Sequence, residues 1–387
     1  MSQARAPVTT GCLLLAAASL ALAASPGTAA RAADGQNTVM TDRPLRAPLV
    51  IAHRGASGYR PEHTLESYRL AIEMGADFIE PDLVSTRDGR LVARHEPDIT
   101  ETTDVAQRPE FAARRRTVLI DGVEHVGWFT VDFTLEELRT LRAVQPRPGR
   151  SKEFDGLFQI PTLEEIIALA RSASAAGGRT IGIYPETKHP TWHCEQGLPL
   201  EPALLAALAE AGWTSREAPV FIQSFESGNL QWLRQRTSIK LVQLIAGAGL
   251  REDGSVIPWM VPADAHRCDI YPVGSLPVDF ATPDAFEQIA RYADVVGPWK
   301  RWLIGAKPSA DDDTELTATA STGFVRLAHE AGLLVHPWTF RNEPGELLKD
   351  YAGDPLAEYQ AFAALGVDGV FSDFPDTARA GLALGSP

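Results

Sequence analysis

Eight short apolar runs, separated by stretches with helical spacing, recur from residue 49 to the C-terminus, and this alternation limits what the chain can fold into. The runs are 49–52, 76–84, 180–186, 219–224, 240–245, 293–297, 333–338 and 367–371. Helices are expected from Thr64 onward, near 162–176, 200–211, 226–236, 283–291, 321–332 and 355–365, and at the C-terminus. Apolar runs this short and this continuous read as strands covered on both faces. Strands alternating with helices point to an α/β fold with a parallel sheet. Eight such units point to a (β/α)8 TIM barrel.

A barrel makes a sharp claim about chemistry, because reactive residues stand at the C-terminal ends of its strands. Those ends carry His53 and Arg54, Glu80 and Asp82, Glu186 with Lys188, Gln223, Gln243, Trp299, Trp338 and Asp373. The first end is the most informative. The run stops at His53 and Arg54, Gly55 and Gly58 allow a tight turn, and Thr64 opens a helix. A titratable imidazole beside a permanent cation is an anion site in outline. At the second end Glu80 and Asp82 are two apart and leave the same face of the strand, while Pro81 interrupts regular pairing. Asp88-Gly89 then marks a turn, and the extended run 91–96 returns His95 to the neighbourhood of Glu80 and Asp82.

Two segments break the alternation. Residues 98–157 are polar, Arg-rich and irregular, and read as an insertion beyond the second strand, a lid or rim beside the site. Within it, Arg114-Arg115-Arg116 reads as a solvated charged face rather than an anion site. Residues 246–282 read as a second irregular excursion.

Glu80, Asp82 and Glu186 converging on one pole would repel one another unless a cation lay between them. Oxygen-only donors favour Ca2+ or Mg2+ over zinc. Taken singly, Asp82 capping a loop and Glu186 pairing with Lys188 are the structural alternatives. His53 and His95 have ordinary pKa values near ~6.5, which suits them to take and give a proton near neutral pH. Two imidazoles around a metal-bound phosphate describe a phosphodiesterase: one activates the attacking oxygen, the other protonates the leaving alkoxide, and Arg54 holds phosphoryl oxygens. The chain lacks G-x-S-x-G, H-E-x-x-H and P-loop motifs. A glycosidase built on Glu80 and Glu186 would leave His53, Arg54 and His95 without roles. A lyase-type phosphodiesterase and an exported binding protein are the other rivals.

The first 33 residues read as a secretory signal peptide. Arg5 precedes an apolar stretch over 12–24, and small residues follow. A polar leader over 34–48 and a single domain over 49–387 are expected to come next. Nothing later is long and apolar enough to cross a bilayer. The formal charge is −14, and removing Arg5 and Arg31 with the signal makes it about −16. So acidic a surface argues against nucleic acid or an anionic membrane as partner. A small anionic substrate would have to be drawn in by local cations. No membrane anchor and no obligate protein partner are expected. Of the three cysteines, Cys194 and Cys268 remain after export; a disulfide and two separate buried thiols both fit the sequence.

The chain resembles the glycerophosphodiester phosphodiesterases, and most closely their exported, periplasmic-type bacterial branch. The resemblance is carried by His53-Arg-Gly-Ala-Ser-Gly58, Pro61-Glu-His-Thr64, Glu80-Pro-Asp82, Val92-Ala-Arg-His95, Gly182-Ile-Tyr-Pro-Glu186, Lys188, Gln223-Ser-Phe225, Val335-His-Pro-Trp338, Arg341 and Phe371-Ser-Asp-Phe-Pro-Asp376. It implies a TIM barrel of the phospholipase-C-like phosphodiesterase type. It also implies a phosphoric diester hydrolase that releases sn-glycerol 3-phosphate and an alcohol from substrates such as glycerophosphocholine. By position, Glu80, Asp82 and Glu186 would hold one divalent cation, with Ca2+ usual in the exported branch and Mg2+ the alternative. His53 and His95 would be the acid–base pair, Arg54 and Lys188 would hold the phosphate, and Gln223 and Trp338 would contact substrate. The segment after His95 corresponds to the family's insertion, which helps admit the glycerol end. Thr187 stands where an aliphatic residue is common.

Overall fold

Val50, Ile51 and Ala52 are all fully buried, yet alternate side chains enter different clusters. Val50 and Ala52 pack with helix residues such as Tyr68, Ala71 and Ile166, whereas Ile51 packs with Tyr184, Phe221, Val242, Val295 and Phe371. A strand turns successive side chains to opposite faces. A strand apolar on both faces must therefore be covered twice, here by helices on one side and by other strands on the other. This is the physical origin of the α/β architecture.

The computed structural model describes residues 47–259, 268–271, 282–310, 312 and 314–384. The expected signal peptide, and the leader through residue 46, lie outside the described residues. A four-stranded parallel sheet has the order Gly369–Ser372, Leu49–His53, Phe78–Glu80, Gly182–Ile183. A second sheet runs Leu334–Val335, Val295–Pro298, Lys240–Ile245, Phe221–Ser224, Glu186–Thr187, Asp82–Ser85 and Leu91–Ala93, parallel except for the last pairing. Isolated parallel bridges Ile183↔Val220 and Phe340↔Ser372 join residues of the first sheet to Val220, just before Phe221–Ser224, and to Phe340, five residues beyond Leu334–Val335. Pro81 ends one strand and Asp82 begins the next, so the expected second strand divides between the sheets. The expected helices form within a few residues of their sequence bounds. Thr64 caps Leu65–Glu73 through Ser67 N, and Thr162 caps Leu163–Gly177 in a reciprocal box with Glu165.

Three hairpins depart from the sequence reading. Residues 98–157 are not simply irregular: they contain the antiparallel pair Arg116–Ile120 and Val123–Gly127 and a helix, Leu135–Leu138. They also share an apolar cluster in which Phe111, Trp128, Phe133 and Leu141 pack with Val84 and Val92. The Arg114–Arg116 run stays at the surface, with Arg115 and Arg116 exposed, and each side chain also has a partner. Arg114 pairs with Glu137, Arg116 lies 2.7 Å from Asp132, and Arg115 stacks over Trp128. The second excursion likewise holds a hairpin, Gly247–Leu250 with Val256–Pro258. A further one, Ile304–Pro308 with Leu316–Ser321, falls in a region the sequence left without strands. Among the described residues no helix is long and apolar enough to cross a membrane.

Cys194 and Cys268 form a disulfide, with Cα atoms 5.8 Å apart and 74 residues of separation. It ties residues 268–271 to the helix Pro190–Glu195, next to Lys188 and His189. Closing a loop of that length stabilises a fold by about 2–4 kcal/mol. Cys194→Ser is therefore expected to lower the urea midpoint by that equivalent, and reductant to do the same to the wild type but not to the variant.

Candidate active site

The inner cluster is the floor of the site. Ile51, Phe78, Tyr184, Phe221 and Phe371 face one another, with Tyr184 and Phe221 stacked at 4.9 Å and Phe371 edge-on to Tyr184 at 5.0 Å. Two residues further along each strand the side chain returns to the same face. Those positions are His53, Glu80, Glu186, Gln223 and Asp373. One step of strand periodicity thus lifts a polar layer directly above an apolar one. The cavity there is open to solvent and spans about 550 Å³ with its mouth included, lined by His53, Arg54, Glu80, His95, Glu186, Lys188 and Gln223 on its polar side. Phe225, Leu244, Trp299, Trp338 and Phe371 supply the apolar side, and Thr339 and Arg341 complete the wall. Gln243 does not reach it. Lying between Val242 and Leu244 it faces the helices, donating to Phe225 O and accepting from the Tyr292 hydroxyl, each at 2.9 Å.

The turn after His53 depends on its backbone. Arg54 itself takes a left-handed φ of 59°, and Gly55 follows at 87°. A Cβ at Gly55 would lie 2.4 Å from Ser67 Oγ, so the position admits only glycine. Gly58, read from sequence as part of the same turn, is needed for space: a Cβ there would meet the Phe374 ring at 2.3 Å.

His53 Nδ1 donates to Asp373 Oδ1 at 2.6 Å. Because a carboxylate only accepts, Nδ1 carries the proton and Nε2 is left as the basic nitrogen. Asp373 is held in turn by Arg150 Nη2 at 2.6 Å and Arg341 Nε at 2.9 Å. Burial, reinforced by the Arg54 cation, pushes His53 down to about 4 against the opposing pull of Asp373. Its imidazole is neutral near pH 7. His95 is similarly directed: Nδ1 meets Glu96 Oε1 at 2.9 Å and Nε2 faces Lys188 Nζ at 3.3 Å. Burial, Arg54 and Lys188 lower its pKa as well.

Glu80, Asp82 and Glu186 are buried, and each offers a carboxylate oxygen within 4.8 Å of those of the other two. Burial and the Asp82 charge raise Glu80 well above the carboxylate range. Burial, with Asp82 adding to it, raises Glu186 to about 8 despite Lys188 Nζ at 3.1 Å. Asp82 is not part of the cavity wall. It lies behind the other two, accepting from His63 Nε2 at 2.8 Å, with Arg54 Nε at 3.6 Å. Burial opposes its ionisation, but His63, Lys188 and His95 together overcome that and hold it well below its ordinary value. Outer donors orient the cluster: Arg54 N donates to Glu80 Oε2 at 2.7 Å, and Gln223 Nε2 to Glu80 Oε1 at 2.9 Å. Clustered, buried, oxygen-only donors that resist joint ionisation fit a hard divalent cation. Arg54 and Lys188 stay charged: burial is the largest single influence and works against the charge, but Glu62, Asp82, Glu80 and Asp373 around Arg54, and Glu186, Asp82 and Glu96 around Lys188, together outweigh it.

Every candidate residue named from sequence, Gln243 apart, therefore lines one cavity or, like Asp82 and Asp373, backs a residue that does. Sequence reasoning assigned no role to Glu62, His63, Glu96, Arg150 or His189. Glu62 and His63 stand in the quoted Pro61–Thr64 motif, and Glu96 adjoins His95, so a signal existed for those three. Nothing local marks Arg150 or His189.

Residues 53–377 match the model of the glycerophosphoryl diester phosphodiesterase family, a span that holds every candidate residue. Among curated proteins, the glycerophosphodiester phosphodiesterase GDPD6 of Arabidopsis thaliana is 36% identical over 350 residues, covering 86% of each chain. That of Haemophilus influenzae is 31% identical over 347 residues, covering 85% of this chain and 88% of its own. Among solved structures, an Oleispira antarctica phosphodiesterase in complex with the product sn-glycerol-3-phosphate aligns with a TM-score of 0.52 at 19% identity, over 87% of this chain and 97% of its own. A glycerophosphodiester phosphodiesterase from Agrobacterium tumefaciens aligns at 0.51 and 16%, over 86% and 99%. At these identities the structural likeness speaks to the α/β fold.

Proposed function

This chain belongs to the glycerophosphoryl diester phosphodiesterase family and is a glycerophosphodiester phosphodiesterase; on that premise we propose that it hydrolyses glycerophosphocholine, glycerophosphoethanolamine and similar diesters to sn-glycerol 3-phosphate and an alcohol. The observation that carries this reading is a single cavity flanked by two imidazoles, two cations and a buried carboxylate cluster.

In this reading, Arg54 and Lys188 bind the phosphoryl oxygens, and their fixed positions spare reorganisation as charge shifts in the transition state. One of His53 and His95 takes the proton from the attacking oxygen through its basic Nε2; the other, having first bound a proton at its own Nε2 opposite the carboxylate on Nδ1 (Asp373 for His53, Glu96 for His95), gives that proton to the leaving alkoxide as the P–O bond breaks. Glu80, Asp82 and Glu186 would hold one divalent cation, Ca2+ ahead of Mg2+. Such an ion, when bound, adds Lewis-acid polarisation of the phosphoryl group. Phe225, Trp299 and Trp338 offer an apolar wall for the leaving group, with Gln223 steadying Glu80 beneath.

The two parallel sheets are read as one closed (β/α)8 barrel in a single domain over 49–387, with the bridges at Ile183 and Phe340 as support. Residues 98–157 are read as the insertion that helps admit the glycerol end. Residues 1–33 are read as a signal peptide that makes this an exported enzyme of the periplasmic type, a reading the Cys194–Cys268 bond favours.

The test is release of sn-glycerol 3-phosphate from glycerophosphocholine with Ca2+, with Mg2+ and with chelator. Ion-dependent release is the expected result. No release with any ion or head group would sink the proposal, and a cyclic phosphate product would replace it with a lyase-type reaction.

A further inference from the structure

Behind His95, on the side away from the cavity, lies a chain of three side chains from distant segments. His95 Nδ1 contacts Glu96 Oε1 at 2.9 Å. Glu96 Oε2 accepts from His189 Nε2 at 2.7 Å. His189 Nδ1 donates to Asp121 Oδ2 at 2.6 Å. The donor on each side of His189 meets a carboxylate, which can only accept, so both ring nitrogens carry protons and the ring is a cation. Burial works against that charge, but the hydrogen bonds to Asp121 and Glu96 overcome it and raise His189 to about 10. The ring is four-fifths buried, with 19% of its side chain accessible.

We infer that His189 and Asp121 are positioning residues for His95, acting through Glu96: they hold the Glu96 carboxylate where it fixes the proton of His95 on Nδ1 and leaves Nε2 facing the cavity. Three features of the geometry support this. Glu96 has rotatable bonds enough to wander, and a charged donor on its second oxygen anchors it. Lys188 stands on the opposite side of the imidazole, and an ammonium can only donate, so Nε2 is the acceptor there. The two nitrogens are thus assigned consistently from both sides. Finally, His189 takes a left-handed φ of 42°, and Asp121 one of 49°. Asp121 and Gly122, both at positive φ, join Arg116–Ile120 to Val123–Gly127, the arrangement that suits an Asp-Gly turn in a two-residue hairpin. That hairpin carries the carboxylate from the 98–157 excursion to the rear of the site. The excursion would then act on the chemistry as well as on access.

The inference rests on the proposed role of His95, so the experiment carries a control for that role. kcat, KM for glycerophosphocholine and melting temperature would be measured for His95→Ala, His189→Leu, His189→Gln, Asp121→Asn and Glu96→Ala, and for the Glu96→Ala/His189→Leu double variant. His189→Leu is expected to lower kcat by about 10- to 100-fold, the usual cost of removing a partner that orients an active imidazole, with KM little changed. His189→Gln, whose amide can still donate to Glu96, is expected to recover part of that loss. In the Glu96→Ala background, His189→Leu should cost almost nothing further, because a residue acting only through Glu96 has nothing left to act on. Asp121→Asn keeps a turn residue suited to positive φ, so the fold should survive, and a lower kcat there supports the inference even where His189→Leu does not fold. Unchanged kcat in folded His189→Leu, or equal losses with and without Glu96, would overturn it; if His189→Leu does not fold, unchanged kcat in Asp121→Asn does so. If His95→Ala keeps full activity, the reading of His95 falls first, a different failure that the control identifies.

Discussion

Replacing His53 with alanine is expected to lower kcat/KM for glycerophosphodiesters by about 100- to 10,000-fold, the range for losing a positioned proton-transfer group. That corresponds to about 2.7–5.4 kcal/mol of transition-state stabilisation. His53 is two residues beyond Ile51, so it shares the inner face and stands above the aromatic floor. Asp373 accepts from its Nδ1–H at 2.6 Å and is itself clamped by Arg150 and Arg341, so the ring has one orientation and one tautomer. Burial and Arg54 keep it neutral at pH 7. Because 12% of the His53 side chain is accessible and it packs above the core rather than within it, the truncation should leave the fold intact. Steady-state kinetics on a variant with a wild-type melting profile would check this. Activity within tenfold of wild type would remove His53 from the reaction.

Chelation is expected to abolish activity and also to make stability depend on pH in a particular direction. Without a cation, Glu186 is raised to about 8 by burial and by Asp82, against an unfolded value of 4.5. A group whose folded pKa lies above its unfolded one contributes stability that is fully present below the unfolded value. That contribution is lost as pH rises through the folded value. The chelated protein should therefore lose stability between about pH 4.5 and about pH 8 on account of this group, and Glu80, raised in the same direction, adds to the trend. A divalent cation bound by the ionised carboxylates removes the penalty. At a hundredfold excess over Kd it stabilises by about 2.7 kcal/mol, which for a chain of this size raises Tm by about 3–4 °C. The increment should be larger near pH 8 than near pH 5.5, and Glu80→Ala should diminish it. Thermal melts with chelator, Ca2+ and Mg2+ at both pH values provide the measurement. An ion-induced shift that is absent, or larger at the lower pH, would count against Glu80, Asp82 and Glu186 as the metal site.

Local pattern carried a great deal of this protein. Eight apolar runs alternating with helical spacing specified strands and helices, because burial on two faces and capping by Thr64 and Thr162 act over a few residues. The same periodicity marked His53, Glu80, Glu186 and Gln223, since a residue at a strand's end inherits the face of the one two before it. What local pattern cannot express is which side chain will stand behind another. Asp373 reaches His53 across 320 positions, Arg150 reaches Asp373 across 223, and His189 meets Glu96 across 93. No spacing rule links such residues. Their meeting depends on how the strands order and how the excursion folds back. The hairpins at Arg116–Gly127, Gly247–Pro258 and Ile304–Ser321 were hidden for a related reason. They lie outside the main layers, so their strands lack the strong apolar pattern that burial on both faces imposes. The Cys194–Cys268 pairing, undecided by composition, follows from the fold bringing two Cα atoms to 5.8 Å. The candidate reacting groups were thus legible because strand geometry is local, whereas the partners that orient them required the tertiary structure, because hydrogen bonds join whatever the fold brings within 3 Å.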